Sequence, residues 1–191
     1  MLVECGFVRA QAGDGVEWTF TPSLGRIAAL GSPHEIVELY GDLHDPERAA
    51  AAARFILASL CDQDDATPLI GWLDEALQDH AGHMPPAEQV IIARHLMQHG
   101  IAGKARPGGR GAQDGRYSDT FHASEFIAIA RVHLGMGADE AEALSMTELQ
   151  GLLELKFPEA FKGRDVPTRE EYEAGMAAMR AIQAAKEKRG G

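Results

Sequence analysis

The sequence predicts a mainly α protein with an N-terminal β-hairpin, an α+β fold in which a bundle-like helical N-terminal unit precedes a smaller helical C-terminal module. Three observations carry that reading. Apolar and polar residues alternate near the N-terminus, where Val16, Trp18 and Phe20 interleave with Glu17, Thr19 and Thr21. From Pro22 onward the apolar residues recur at helical spacing instead, punctuated by capping boxes at Ser32–Glu35, Ser145–Glu148 and Thr168–Glu171. Between the helical stretches, Gly103 to Arg116 holds five glycines, four basic residues and one proline, a composition that builds no core and reads as a linker or exposed loop. The chain therefore divides into residues 1–102, a 103–118 linker or loop, a helical module over 119–158, and 159–191, a linker with a C-terminal amphipathic helix.

The first strand is expected from Leu2 to Ala10, with Val3, Cys5 and Phe7 on one face, and the second around Val16 to Thr21. A lone hairpin is unstable in water, so its apolar face must rest on helices or on another chain. Leu24, Ile27, Ala28 and Leu30 make a short helix that Gly31 ends. Ser32 and Pro33 then open a helix to about His44, with Ile36, Val37 and Tyr40 inward. The next runs from Asp45 to about Asp62 on a stripe of Ala49, Ala52, Ala53, Ile56 and Leu60, widened by Phe55 and Leu57. Thr67-Pro68 is expected to open a fourth, with Leu69, Trp72, Leu73, Ala76 and Leu77 on one side. Pro85-Pro86 opens a fifth. Beyond the linker, Phe126, Ile129, Ala130 and Leu134 mark a helix, and a short one follows around Asp139 to Leu144. Ser145 caps a helix bearing Leu149, Leu152, Leu153 and Phe157. Thr168 caps a last one whose thin stripe is Tyr172, Met176, Met179 and Ile182. So thin a stripe buries little area, which suits a helix that waits for a partner.

Charge and composition narrow the function. Hydrophobic residues make up 45% of the 191, enough for a core, and 29 acidic residues against 18 basic give a net charge of −11. A field of that sign repels phosphate, so nucleic acid is not an expected partner. Cys5 and Cys61 form no Cys-x-x-Cys pair and read as small buried apolar side chains. No stretch is long and apolar enough to cross a bilayer and no signal peptide opens the chain, so the expectation is a cytoplasmic protein.

Chemistry finds little purchase. His95 and His99 lie four apart on a helix and His80 and His83 three apart, spacings that can chelate a divalent ion, yet His-Glu-x-x-His and a third ligand are missing. An ordinary amphipathic edge accounts for them, and His133 shares a face with Phe126 and Ala130 in the same way. Asp62, Asp64 and Asp65 open like a calcium loop, but residue 67 is Thr and residue 73 is Leu where Gly and Glu are needed. There is no Gly-x-Ser-x-Gly and no P-loop. No catalytic residue, cofactor or metal is expected.

Two stretches together resemble a known family. One runs Phe20-Thr-Pro-Ser23, Leu24-Gly-Arg-Ile-Ala-Ala-Leu30, Gly-Ser-Pro33 and Glu35-Ile-Val-Glu-Leu39. The other runs Phe126-Ile-Ala-Ile-Ala-Arg131, Leu134-Gly-Met-Gly-Ala-Asp-Glu-Ala141 and Leu144-Ser-Met-Thr-Glu-Leu149. They look like the strand-hairpin-helix start and the Leu-Gly-turn module of tail assembly chaperones from long-tailed bacteriophages and gene-transfer agents. The resemblance implies a non-enzymatic protein of the host cytoplasm that coats the tape-measure protein, delivers tail-tube subunits and leaves before the tail matures. In that role the partner-binding side chains are Phe126, Ile129, Leu134, Leu149, Leu152, Leu153, Phe157, Tyr172, Met176 and Met179. The alternatives are a structural virion component, such as a connector or minor tail protein, and a metal-dependent enzyme using the four histidines; self-association stays open.

Overall fold

A computed structural model of the protein describes residues 3–12, 15–76, 78–104 and 118–158. The fold is mainly α with an N-terminal antiparallel hairpin, as the sequence predicts. Strands β1 (Val8–Gln11) and β2 (Glu17–Phe20) pair Val8 with Phe20 and Gln11 with Glu17. The first strand is shorter than the alternation suggested, because a single 3-10 turn, Val3–Cys5, precedes it and Gly6 turns the chain at φ +94°. Trp18 and Phe20 bury their rings, and Phe20 is fully enclosed.

The helices are α1 (Leu24–Ala28), α2 (Pro33–Asp42), α3 (Ala49–Leu60), α4 (Thr67–Ile70) and α5 (Pro86–Met97), the last widening to π-type winding over Gln98–Ala102. After residue 118 come α6 (Ala123–Ile129), continued by a π-type turn Ala130–Leu134, then α7 (Ala138–Ala143) and α8 (Met146–Lys156). Their starts follow the capping chemistry in the sequence. Ser32 accepts from the Glu35 amide while the Glu35 carboxylate accepts from the Ser32 amide at 2.7 Å, and Ser145 and Glu148 repeat the exchange.

The stripe on α3 is sealed as read: Ala49, Ala52, Ala53, Ile56 and Leu60 are buried, and so is Leu57. The hairpin is tied to the C-terminal end of this helix. Arg26 donates to the carbonyls of Leu60 and Cys61 at 2.9 and 2.7 Å and pairs with Asp62 at 2.8 Å, a cation set where the carbonyls of α3 carry partial negative charge. Thr21 donates to Asp62, and Trp18 Nε1 donates to the carbonyl of Asp65.

One expected helix opens where predicted but stops after a single turn. Thr67 begins a single turn that buries Leu69 and Ile70, and then Gly71 takes φ +79° and redirects the chain. Trp72–Leu73 (β3) and Asp79–His80 (β4) pair as a small hairpin instead, and Gly71 packs so closely on the His80 carbonyl that a side chain there would collide with it. Leu77 lies outside the described residues.

Residues 118–158 pack on the first hundred. The Phe121 amide donates to the Pro33 carbonyl and the Leu24 amide to the Leu144 carbonyl. His99 Nδ1 meets Thr147 Oγ1 at 2.8 Å, and Gln150 bonds the backbone at Ala102 and Lys104. One hydrophobic cluster holds Phe20, Leu24, Ile27, Ile56, Leu60 and Leu96 together with Phe121, Ala130, Ala141, Met146 and Leu149. The 103–118 stretch is thus a boundary in the chain and not in the core.

Candidate functional site

Two apolar surfaces are left open among the described residues. The first lies on α8. Its N-cap fixes the helix so that Ser145, Met146, Thr147 and Leu149 face inward, with Leu149 only 1% exposed. At 100° per residue, Leu152 falls at the edge of that buried face, 60° from Leu149, and Leu155 lies a further 60° round, turned outward. Leu155 is 82% exposed, and Leu152 and Phe157 are 38% exposed. The ridge continues onto the turn after α6: the Phe157 ring meets His133 edge-on at 5.9 Å, Lys156 donates to the His133 carbonyl, and neighbouring Val132 is 77% exposed.

Of the side chains expected to bind a partner, the structure keeps only part of the set at the surface. Leu152 and Phe157 are exposed, while Phe126, Ile129, Leu134 and Leu153 are half-buried. Leu149 is sealed in the core, which removes it from the set: it sits three residues after Met146 on the face that closes over the first hundred residues. Tyr172, Met176 and Met179 lie outside the described residues, and so does the Thr168 capping box. Leu155 and Val132 are the additions; neither continued a core stripe, and an apolar residue off the stripe is the one available sign of them.

The second surface is a cleft of about 560 Å³ between α3 and the β3–β4 hairpin, floored by Ile70 and walled by Phe55, Trp72 and Leu73. These three are about half exposed, at 47%, 47% and 53%. The sequence placed all three inward on helical stripes; the hairpin turns Trp72 and Leu73 outward, and Phe55 lies on the flank of α3 that faces them. The hairpin is braced from within: the Trp72 and His80 rings stack at 4.2 Å, and His80 Nε2 meets Asp74 Oδ2 at 3.1 Å. Bonds from the Gln78 amide and from His80 hold the Asp74 carboxyl below its usual range. Arg54 reaches across the cleft wall to Asp79 at 2.8 Å, and its Nε is buried without a partner. Glu47 stands exposed on the rim.

The histidines do not converge. His80 belongs to the β3–β4 hairpin, and His83 lies exposed just beyond it. His95 and His99 bring their rings to 4.5 Å on α5 and its continuation, but His99 Nδ1 is committed to Thr147. Burial, and then the neighbouring His95, lower the His99 pKa. Among the described residues no three His, Cys, Asp or Glu side chains gather as a metal group would require. Burial pushes the thiols of both Cys5 and Cys61 up, away from the thiolate form. No helix among the described residues is long and apolar enough to cross a membrane.

No curated protein and no solved structure matches the chain. A family model described as a family of unknown function (DUF6246) matches residues 45–174, a span that takes in the cleft and the α8 ridge alike. The chain belongs to that family.

Proposed function

We propose that the protein is a non-enzymatic assembly factor of the tail assembly chaperone kind, which holds the long helical tape-measure protein of a bacteriophage or prophage tail in the host cytoplasm and hands over tail-tube subunits. The observation that carries this reading is the α8 ridge. Leu155 stands in water, with Leu152 partly exposed beside it and Phe157 partly exposed at the C-cap, on a helix whose inner face is locked into the core. Rigid support on one side and uncovered aliphatic surface on the other is what helix-in-groove capture needs. Exposed apolar residues set together, rather than scattered, mark contact surfaces. The resemblance of residues 20–39 and 126–149 to tail chaperones supplies the partner's identity. A chain with a net charge of −11 stays dispersed while it carries such a ridge.

Co-expression with the tape-measure protein tests it. Wild-type protein is expected to co-purify with the tape measure, and Leu152→Asp/Leu155→Asp is expected to lose it, with the melting temperature kept because both residues are outside the core. Capture that survives the double substitution, or no capture by wild type, overturns the proposal. Purified particles discriminate further: a chaperone is missing from them, whereas a stoichiometric band belongs to a structural component.

A further inference from the structure

We propose that the outer edge of β1 is a strand-addition site, which takes an extended, basic peptide of a partner protein as a third strand of the N-terminal hairpin. This goes beyond the capture of a helix on α8 and uses none of its residues.

The hairpin has one closed edge and one open edge. On β2 the Thr19 amide donates to the Gln63 side chain at 2.9 Å, and the Thr19 carbonyl accepts from the Asp62 amide at 2.8 Å. The bridge between Phe20 and Cys61, and the bond from the Thr21 amide to the Leu60 carbonyl, continue that cover. Both backbone groups of Thr19 therefore point away from β1, so its pairing with Arg9 is a non-hydrogen-bonded one. Such pairs alternate with bonded ones along an antiparallel ladder, and the bond from the Ala12 amide to the Val16 carbonyl keeps the same phase. Arg9 and Gln11 thus turn their amides and carbonyls outward. None of these four groups has a partner among the described residues. Two donors and two acceptors at strand spacing are matched by another extended backbone.

That edge borders a groove of about 350 Å³. Arg9, Ala10, Gln11 and Ala12 form one wall of it. Successive side chains of a strand point to opposite faces, so a hollow lined by consecutive residues lies along the edge. Glu88 and Ile92, one turn apart on α5, line the groove as well, and so do the buried Leu69 and Met84. A strand seated about 4.8 Å from β1 enters this groove. Backbone bonds to the edge then hold its main chain, and the groove selects its side chains.

The lining sets the chemistry of the occupant. Leu69, Met84 and Ile92 accept apolar side chains, which a strand presents at every second position. Arg9 is engaged across the hairpin with Glu17 at 3.8 Å, whereas Glu88 is exposed and forms no ion pair among the described residues. A lysine or arginine beside the apolar positions meets Glu88, and the net charge of −11 favours the same sign.

The probe is a synthetic heptapeptide of alternating lysine and valine, blocked at both ends. Its binding is measured by calorimetry, and amide exchange is followed by NMR. Wild-type protein is expected to bind it, with new protection at the Arg9 and Gln11 amides and no change at Val8 and Ala10, which are bonded to β2 throughout. Two further peptides carry backbone N-methyl groups, one on its valines and one on its lysines. One of the two is expected to keep the affinity and the other to lose it, because only one set of amides faces β1. Gln11→Pro removes a donor that bonds nothing in the hairpin and is expected to weaken binding at least tenfold, with Trp18 emission unchanged. Glu88→Lys, on the other wall, is expected to weaken it about tenfold. No binding by wild type, equal binding of the two methylated peptides, or full affinity in both variants overturns the proposal. Light scattering is expected to give a monomer; a wild-type dimer that Gln11→Pro dissolves would pair β1 with a second copy and overturn the partner assignment. Leu152→Asp/Leu155→Asp is expected to leave the affinity for the probe unchanged, so failure here is separate from failure of tape-measure capture.

Discussion

Single residues decide more here by where they are enclosed than by what they can react with. His99 is the clearest case. Its ring lies between the His95 ring and the Thr147 hydroxyl, with Gly6 pressed so close that a side chain there would strike it. Burial and His95 both disfavour the imidazolium, so the folded-state pKa lies below the ordinary one. The unfolded chain then binds the proton more readily. Stability from this group is present above about pH 6.5 and is lost as pH falls through the folded-state value. The melting temperature is expected to drop between pH 7 and pH 5, and His99→Gln, which keeps a bond to Thr147 but has no charge to take up, is expected to flatten that slope. Parallel slopes for the two proteins would remove His99 as the cause. The same residue shows a limit of sequence reading. Its pairing with His95 was legible from the spacing of four, whereas Thr147, 48 positions along the chain, was not.

At the scale of elements, α8 carries an inner and an outer face that one substitution each can tell apart. Leu149 is 1% exposed in the shared core, so Leu149→Ala is expected to destabilise by about 2–5 kcal/mol. Leu155 is 82% exposed, and Leu155→Ala is expected to change stability by less than about 0.5 kcal/mol. Chemical denaturation of both reads the difference; similar losses would mean that Leu155 is covered. Here the starts of helices were plain in the sequence, because Ser32, Glu35, Ser145 and Glu148 act on their own neighbours within one turn. The α3 stripe was plain too, since a period of 3.6 is a local property. The stretch after Thr67 was misread for the converse reason. Leu69, Trp72, Leu73, Ala76 and Leu77 satisfy a helical period, but Gly71 at φ +79° and its close contact with the His80 carbonyl bend the chain into a hairpin. That contact is tertiary, and periodicity does not register it. Half of the cleft followed from the same misreading, as Trp72 and Leu73 turned from core to wall.

For the whole molecule, the telling feature is one core beneath a chain that reads as two modules. The Gly103 to Arg116 stretch interrupts the sequence, and yet Phe121, Met146 and Leu149 join Leu24, Ile27 and Leu96 in one cluster. Removing Ser145 to Phe157 as a separable module would therefore strip side chains from the core of the first hundred residues, and point substitutions on the outer flank of α8 are the cleaner probe. The α+β class and the hairpin were legible from a change of period at Pro22. How the two halves close on each other was not, because it rests on long-range pairs such as Phe121 with Pro33 and Leu24 with Leu144. What the closure leaves outside is the ridge on α8, and the account stands on that ridge being a contact surface. Hydrogen exchange on the protein alone and in complex with the tape-measure protein measures it most directly. The account predicts new protection concentrated in residues 150–157 and in the turn at 130–134. Protection confined to other elements, with α8 exchanging at the same rate in both states, would contradict it.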